Sequence, residues 1–117
     1  RTLIPKKFEV TVTFNRVALI ASLERVSLFA SNSIVKLDIE KQQIKLTAQF
    51  DEGDGDETLT SSLKGKPILI AFNSGYLIEA LKAISEEEAV ILLNSPTSPA
   101  LLTMEGFEHL LMPVQCR

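Results

Sequence analysis

The sequence has one cysteine, no tryptophan and one histidine among its 117 residues, and these shortages exclude several kinds of chemical site. The lone cysteine, Cys116, forms no disulfide within the chain and supplies no cysteine cage for zinc. Low cysteine usage is typical of the reducing cytosol, so the expected location is cytoplasmic. No stretch approaches the roughly 18 apolar residues that a membrane span needs, and no signal-peptide pattern opens the sequence.

Positive charge is also in short supply. Twelve basic residues stand against fifteen acidic ones, which gives a formal net charge of −3. A protein that is held on nucleic acid by its charge needs a basic face, because the release of counterions from phosphates supplies the affinity. Any contact with DNA is therefore weak or enforced by geometry. With 45% hydrophobic residues, the chain has enough apolar side chains for one buried core, and its length fits a single domain over 1–117.

The familiar catalytic and metal-binding motifs are missing. His109 has no serine, cysteine or acidic partner at the spacing of a known motif, so we interpret it as structural or solvent-facing. The acidic run 51–57 does not place a glycine at the sixth position and a carboxylate at the twelfth position of a calcium loop. Gly65-Lys66 matches only the end of a phosphate-binding loop. These absences predict a non-catalytic binding or structural module that needs no metal and no cofactor.

The hydropathy pattern changes its period at two matching places. Alternating apolar residues predict a strand through Phe14, and a three-to-four-residue period after Asn15 predicts an amphipathic helix that stops near Ser31. The same change occurs at Phe72-Asn73, and the apolar positions of the two helices match at one constant offset. We therefore expect an internal duplication of a strand, a helix and three antiparallel strands. The fold class is α+β, with two helices on one face of a mostly antiparallel sheet.

Three segments leave a choice open. A polar strand over 58–63 is expected at a sheet edge, where a partner strand could be added. The acidic run before it is interpreted as a mobile turn, either a solvated loop or a contact to a basic partner. The apolar tail 110–114 is either a last core strand or part of an interface.

Four motifs in a fixed order give the sequence a specific resemblance. They are RTLIP at 1–5, FNSGYLIEAL at 72–81, SPTSPA at 95–100 and LMPV at 111–114. Together they resemble the third, C-terminal domain of the bacterial sliding clamp family, the β subunit of DNA polymerase III, over the whole chain. The resemblance implies the DNA-clamp fold and a ring of two chains that encircles duplex DNA without reading its sequence. It also implies a DNA replication processivity factor that binds the polymerase, the clamp loader and repair proteins through short peptides.

The resemblance implies a peptide-binding site that combines apolar anchors with hydrogen-bonding side chains. At its edge the chain departs from the family, because Gln115 stands where an arginine is usual, which predicts an altered partner preference. The alternative that stays open is a stand-alone α+β module that binds a small apolar ligand or a peptide. The implied site residues are Leu3, Asn73, Tyr76, Pro96, Ser98, Leu110, Met112, Pro113 and Val114.

Two further surfaces follow from the resemblance alone. Arg16 and Lys82 are candidates for the side of the ring that faces DNA, and simple solvation at the surface is the alternative. The surface that closes the ring lies at the end of the first helix and in the acidic run. Its dimer-interface residues are Arg25, Leu28, Phe29, Asp54, Asp56 and Glu57.

Overall fold

A computed structural model describes residues 7–28, 34–50, 53–104 and 107–114 of the chain. These residues form eight strands and two helices, which alternate in the order of a repeated unit, one strand, one helix and three strands. The elements are β1 (Val10–Asn15), α1 (Arg16–Ser27), β2 (Ile34–Ile39), β3 (Gln43–Phe50), β4 (Gly53–Lys64), β5 (Ile68–Asn73), α2 (Ser74–Lys82), β6 (Glu88–Leu93), β7 (Ala100–Met104) and β8 (Phe107–Leu111).

Both helices begin at an asparagine, as the change of period predicts. The side-chain oxygen of Asn15 accepts a hydrogen bond from the Ala18 N–H at 2.8 Å, and that of Asn73 accepts one from the Tyr76 N–H at 3.0 Å. Each bond satisfies a backbone donor that has no partner within the helix. Helix α1 ends at Ser27, four residues before the expected stop, because the last turn closes with Leu28 as its C-cap.

The strands form one antiparallel sheet in the order β5-β2-β3-β4-β1-β6-β7-β8. The first strand of each half pairs with the second strand of the other half, β1 with β6 and β5 with β2. This exchange gives two groups of four strands, and the pairing of β4 with β1 joins them into a single sheet. The α+β prediction and the repeated half are thereby confirmed.

For the residues that the structure describes, the expectation of an acidic turn is wrong, and the expectation of an edge strand is confirmed only for 58–60. Strand β4 already begins at Gly53, and Asp56 and Glu57 pair with Thr47 and Leu46 of β3. In the sheet, β4 lies between β3 and β1. Only its last residues, 61–64, pair with β1. Residues 53–60 therefore pair with β3 on one side and with no described strand on the other. Residues 51–52 lie outside the described ranges.

The core lies between the helices and the inner face of the sheet. Alternate strand residues point into it, while the helices contribute residues three and four positions apart, as a helix with one apolar face must. Each fully buried aliphatic side chain contributes roughly 1.5–3 kcal/mol relative to an exposed one. In the described part of the chain no helix has the length and apolarity that crossing a bilayer requires. The largest fully buried side chains are Leu19, Leu23, Leu37, Ile39, Ile44, Leu46, Ile70, Leu77, Leu81, Ile91, Leu93 and Leu102.

Candidate functional site

A groove of about 590 Å³ lies between α2 and the segment that follows β8. We call it the tail groove, and the segment 112–114 is the tail. Its lining residues are mostly apolar, and Glu79 and His109 are among the polar exceptions. A concave apolar site with a few polar groups is the usual form of a ligand or peptide site. Six of the predicted peptide-binding residues line it: Asn73, Tyr76, Leu110, Met112, Pro113 and Val114.

The tail is held in place at both of its ends. Leu111, the last residue of β8, is buried in the core, and the Val114 N–H donates a hydrogen bond to the Ala71 carbonyl of β5 at 2.9 Å. Pro113 has no N–H to donate, which suits a position between two anchored residues where strand pairing stops. The tail therefore lies along β5 and forms one fixed wall of the groove.

Two large side chains in this groove are exposed to solvent. Tyr76 is 73% exposed and Met112 is 58% exposed, although both carry extensive apolar surface. Tyr76 is therefore not a core residue. Tyrosine offers an apolar ring and a polar hydroxyl, and the flexible thioether of methionine adapts to different partners. Exposed apolar surface concentrated in a groove indicates a binding site.

The side chain of Asn73 has two polar groups, an oxygen and an amide NH₂. Its side-chain oxygen is used in capping α2, through the bond from the Tyr76 N–H. The amide NH₂ of the same side chain is the group that can donate to a ligand. Its position is fixed by the cap, so a hydrogen bond to a bound backbone carbonyl costs little ordering.

The remaining predicted peptide-binding residues do not line the tail groove. Pro96 lines a second groove of about 710 Å³, which shares Val114 with the tail groove. Hydrogen bonds between Ser95 and Ser98, whose hydroxyls lie 2.7 Å apart, shape the turn that borders the second groove. Leu3 lies outside the described residues.

Two polar residues of the tail groove were not predicted from the sequence to belong to it. His109 was interpreted as structural or solvent-facing, and it is exposed at the groove, whereas Glu79 was not singled out. Glu79 lies three residues after Tyr76 on α2, so the helical spacing that puts both on one face was a usable signal. No comparable signal places His109 there, because its neighbours across the groove come from the distant helix α2.

The predicted dimer residues lie where α1 meets β4. The Arg25 guanidinium donates to Glu57 Oε1 from Nε at 3.0 Å and from Nη2 at 2.9 Å. The hydrogen bond to Glu57, and its negative charge, raise the pKa of Arg25 above its ordinary value. Leu28 beside this pair is 82% exposed, and Asp56 is also exposed. Phe29 and the side chain of Asp54 lie outside the described part of the structure.

The two candidate DNA-facing cations are both engaged within the chain. Arg16 donates from Nη1 to the Leu81 carbonyl at 2.9 Å and from Nε to the Glu86 carbonyl at 2.6 Å. It thereby caps the C-terminal end of α2, where cations are favoured. Lys82 forms an exposed ion pair with Glu24 at 3.1 Å. Both cationic side chains therefore already bond to groups of the same chain.

Comparison with known proteins identifies the family. The family model described as DNA polymerase III beta subunit, C-terminal domain, matches residues 1–115. This chain belongs to that family. The beta sliding clamp of Synechococcus elongatus is 37% identical over 123 aligned residues, which cover 98% of this chain and 33% of that protein. The beta sliding clamp of Streptococcus pneumoniae is likewise 37% identical, over 97% of this chain and 32% of its own length.

Solved structures of clamps share the fold. The DNA polymerase III beta subunit of Thermotoga maritima matches with a TM-score of 0.93 and 28% identity, over 97% of this chain and 33% of that one. The sliding clamp of Bartonella birtlesii matches with a TM-score of 0.91 and 30% identity, over 97% and 34%. This chain therefore spans about a third of the length of the clamps that it matches. Within the described residues, no group of three or more histidine, cysteine or acidic side chains is placed to hold a metal.

Proposed function

We propose that this chain acts as a single domain, the C-terminal third of a DNA sliding clamp, and that its tail groove binds short apolar peptides. Those peptides would come from polymerases, the clamp loader and repair proteins. The observation that carries the proposal is the joint exposure of Tyr76 and Met112 in one groove of a chain that belongs to the clamp family. In this role the protein is a cytoplasmic processivity factor and catalyses no reaction itself.

The affinity of such a groove comes from apolar anchors. Each leucine- or phenylalanine-sized side chain that leaves water contributes roughly 1.5–3 kcal/mol, and the ordering of the peptide offsets part of this gain. The Asn73 amide and the Tyr76 hydroxyl then orient the peptide backbone by hydrogen bonds. Because the tail is anchored by Leu111 and by the Val114 N–H, the groove has little freedom to lose on binding.

Contact with DNA would be topological in this proposal. A closed ring holds a duplex because it is linked around it, so no strong binding of phosphates is needed. The formal net charge of −3 and the engagement of Arg16 and Lys82 with groups of the same chain agree with weak contact. Weak contact also favours sliding, because each tightly bound phosphate would have to be released before the ring moved.

Ring closure would use the surface around Leu28. This surface joins an exposed leucine to the Arg25–Glu57 ion pair and to the half of β4 that pairs on one side only. An unpaired strand side is a template for a strand of another chain. We propose that the partner subunit of the ring covers this surface.

Replacement of Leu28 by alanine should weaken the dimer. In a three-domain polypeptide whose last third is this sequence, we expect the dimer dissociation constant to rise roughly tenfold, because about 1–2 kcal/mol of apolar burial is lost. Analytical ultracentrifugation measures the constant. Val17→Ala, at a 57% exposed residue in the first turn of α1, is the matched control and should leave it unchanged. An equal effect of both variants would remove Leu28 from the interface.

The peptide proposal is tested by calorimetric titration of the 117-residue chain. The probe is a peptide that carries the hydrophobic clamp-binding motif, with a scrambled peptide of the same composition as the control. We expect a dissociation constant of roughly 10 μM to 1 mM for the first peptide and no measurable heat for the second. Equal binding of both peptides would favour an unspecific apolar module instead.

A further inference from the structure

The second groove, of about 710 Å³, adjoins the tail groove at Val114 of the tail. It is bordered by β5, by the turn before it and by the turn after β6. Its lining combines apolar and cationic side chains. This lining includes Lys36, Lys66, Leu69, Pro96 and Val114.

The charge of this groove has one sign. Among the described residues, its lining includes Lys36 and Lys66 and no acidic side chain. Lys36 is half-buried on β2, between Thr47 of β3 and Ala71 of β5, whereas Lys66 is exposed in the turn before β5. The ion pairs found among the described residues use Arg25 and Lys82, and neither groove lysine takes part in them. The groove is therefore complementary to a negatively charged group.

The groove also offers apolar surface. Leu69 is 54% exposed on β5, although its neighbours Ile68 and Ile70 are buried. Pro96 adds a rigid apolar contact from the opposite side. An occupant that matches this lining combines acidic groups with apolar ones, as an acidic peptide does.

The two grooves meet at Val114, which lines both of them. The hydrogen bond from the Val114 N–H to the Ala71 carbonyl fixes this residue on β5. A peptide whose anchors lie in the tail groove therefore reaches the second groove when its chain crosses the tail. Two lysines would neutralise only two phosphates, which gives little affinity for nucleic acid and makes DNA a poor occupant.

We propose that the second groove binds an acidic flank of the same peptide whose apolar anchors occupy the tail groove. This inference rests on the proposed function. Lys36 and Lys66 select partners in which negatively charged residues adjoin the apolar anchors. The tail groove then determines whether a peptide binds, and the second groove ranks the peptides that do.

The test compares peptides that share the same anchors. Three glutamates extend the peptide on its amino side in one version and on its carboxyl side in another, and three glutamines replace them in the two control versions. Calorimetry on the 117-residue chain should show one glutamate version binding more tightly than its glutamine version. We expect a gain of about two- to fivefold for each lysine engaged, which diminishes as salt is added.

Charge variants assign the gain to the groove. Lys36→Gln and Lys66→Gln should each remove part of it, whereas Lys41→Gln, at an exposed lysine in the β2–β3 turn, makes the same change of net charge and should keep it. Lys66 is exposed in a turn, so its replacement leaves the core intact.

Each outcome has one meaning. If the glutamine versions bind and neither glutamate version binds more tightly, the inference is overturned and the proposed function stands. If Lys41→Gln lowers the gain as much as the groove variants do, the gain comes from net charge alone and the inference is again overturned. If no version binds, the proposed function fails and the inference fails with it.

Discussion

Replacement of Gly65 by alanine should destabilise the chain by roughly 2–5 kcal/mol. Gly65 forms the turn between β4 and β5 with a φ of +109°, a conformation that side-chain-bearing residues rarely adopt. A Cβ at this position would also clash with the Glu9 carbonyl oxygen. Because both obstacles lie in the backbone, no side-chain rotation relieves them, and the segment that leads into β1 must move.

Urea denaturation measures this effect, and Gly75→Ala is its matched control. Gly75 lies in the first turn of α2 without a positive φ, and its added Cβ would lie 3.3 Å from the movable side-chain oxygen of Asn73. Alanine has the higher helix propensity, which offsets that close contact, so we expect a change within about 1 kcal/mol. A Gly65→Ala protein as stable as the Gly75→Ala protein would show that the turn relaxes freely.

Replacement of Met112 by aspartate should weaken peptide binding at least roughly 30-fold. The side chain is 58% exposed in the free chain, so the change removes little from the core. In the complex, the lost apolar contact is worth about 1.5–3 kcal/mol, and the new carboxylate would have to leave water among apolar residues. Glu79 in the same lining adds repulsion between like charges.

Calorimetry with the clamp-motif peptide measures the loss, and Val17→Asp is the control for a new charge at an exposed apolar site. Val17 is 57% exposed in the first turn of α1, where an acidic side chain is well tolerated. The control should bind the peptide as tightly as the parent chain does. If the Met112→Asp protein binds the peptide within threefold of the affinity of the parent chain, the tail is not part of the peptide-binding site.

The features that were predictable from the sequence depend on local physics. Asn15 and Asn73 each end a run of period two and begin one of period three to four, and both cap a helix in the structure. The same spacing identified the buried faces of the helices. Local patterns are sufficient here because a side chain's face is set by the geometry of its own element.

The features that were not predictable from the sequence depend on distant segments. Strand β4 extends back to Gly53 because β3 offers it a continuous row of partners, which the acidic and glycine residues of 51–57 conceal in the sequence. Arg16 is engaged by the Leu81 and Glu86 carbonyls, contacts that span more than sixty residues. The separation of Pro96 from the tail groove likewise depends on where the turn after β6 lies relative to β5.

Mapping of backbone amide chemical shifts during titration with the clamp-motif peptide shows whether the tail groove is the peptide-binding surface. We expect the largest changes in chemical shift at Asn73, Tyr76, Leu110, Met112 and Val114, which line the groove. The scrambled peptide should leave these resonances in place. Saturable shifts confined to α1 or to the β2–β3 hairpin, with the tail groove unaffected, would contradict this expectation.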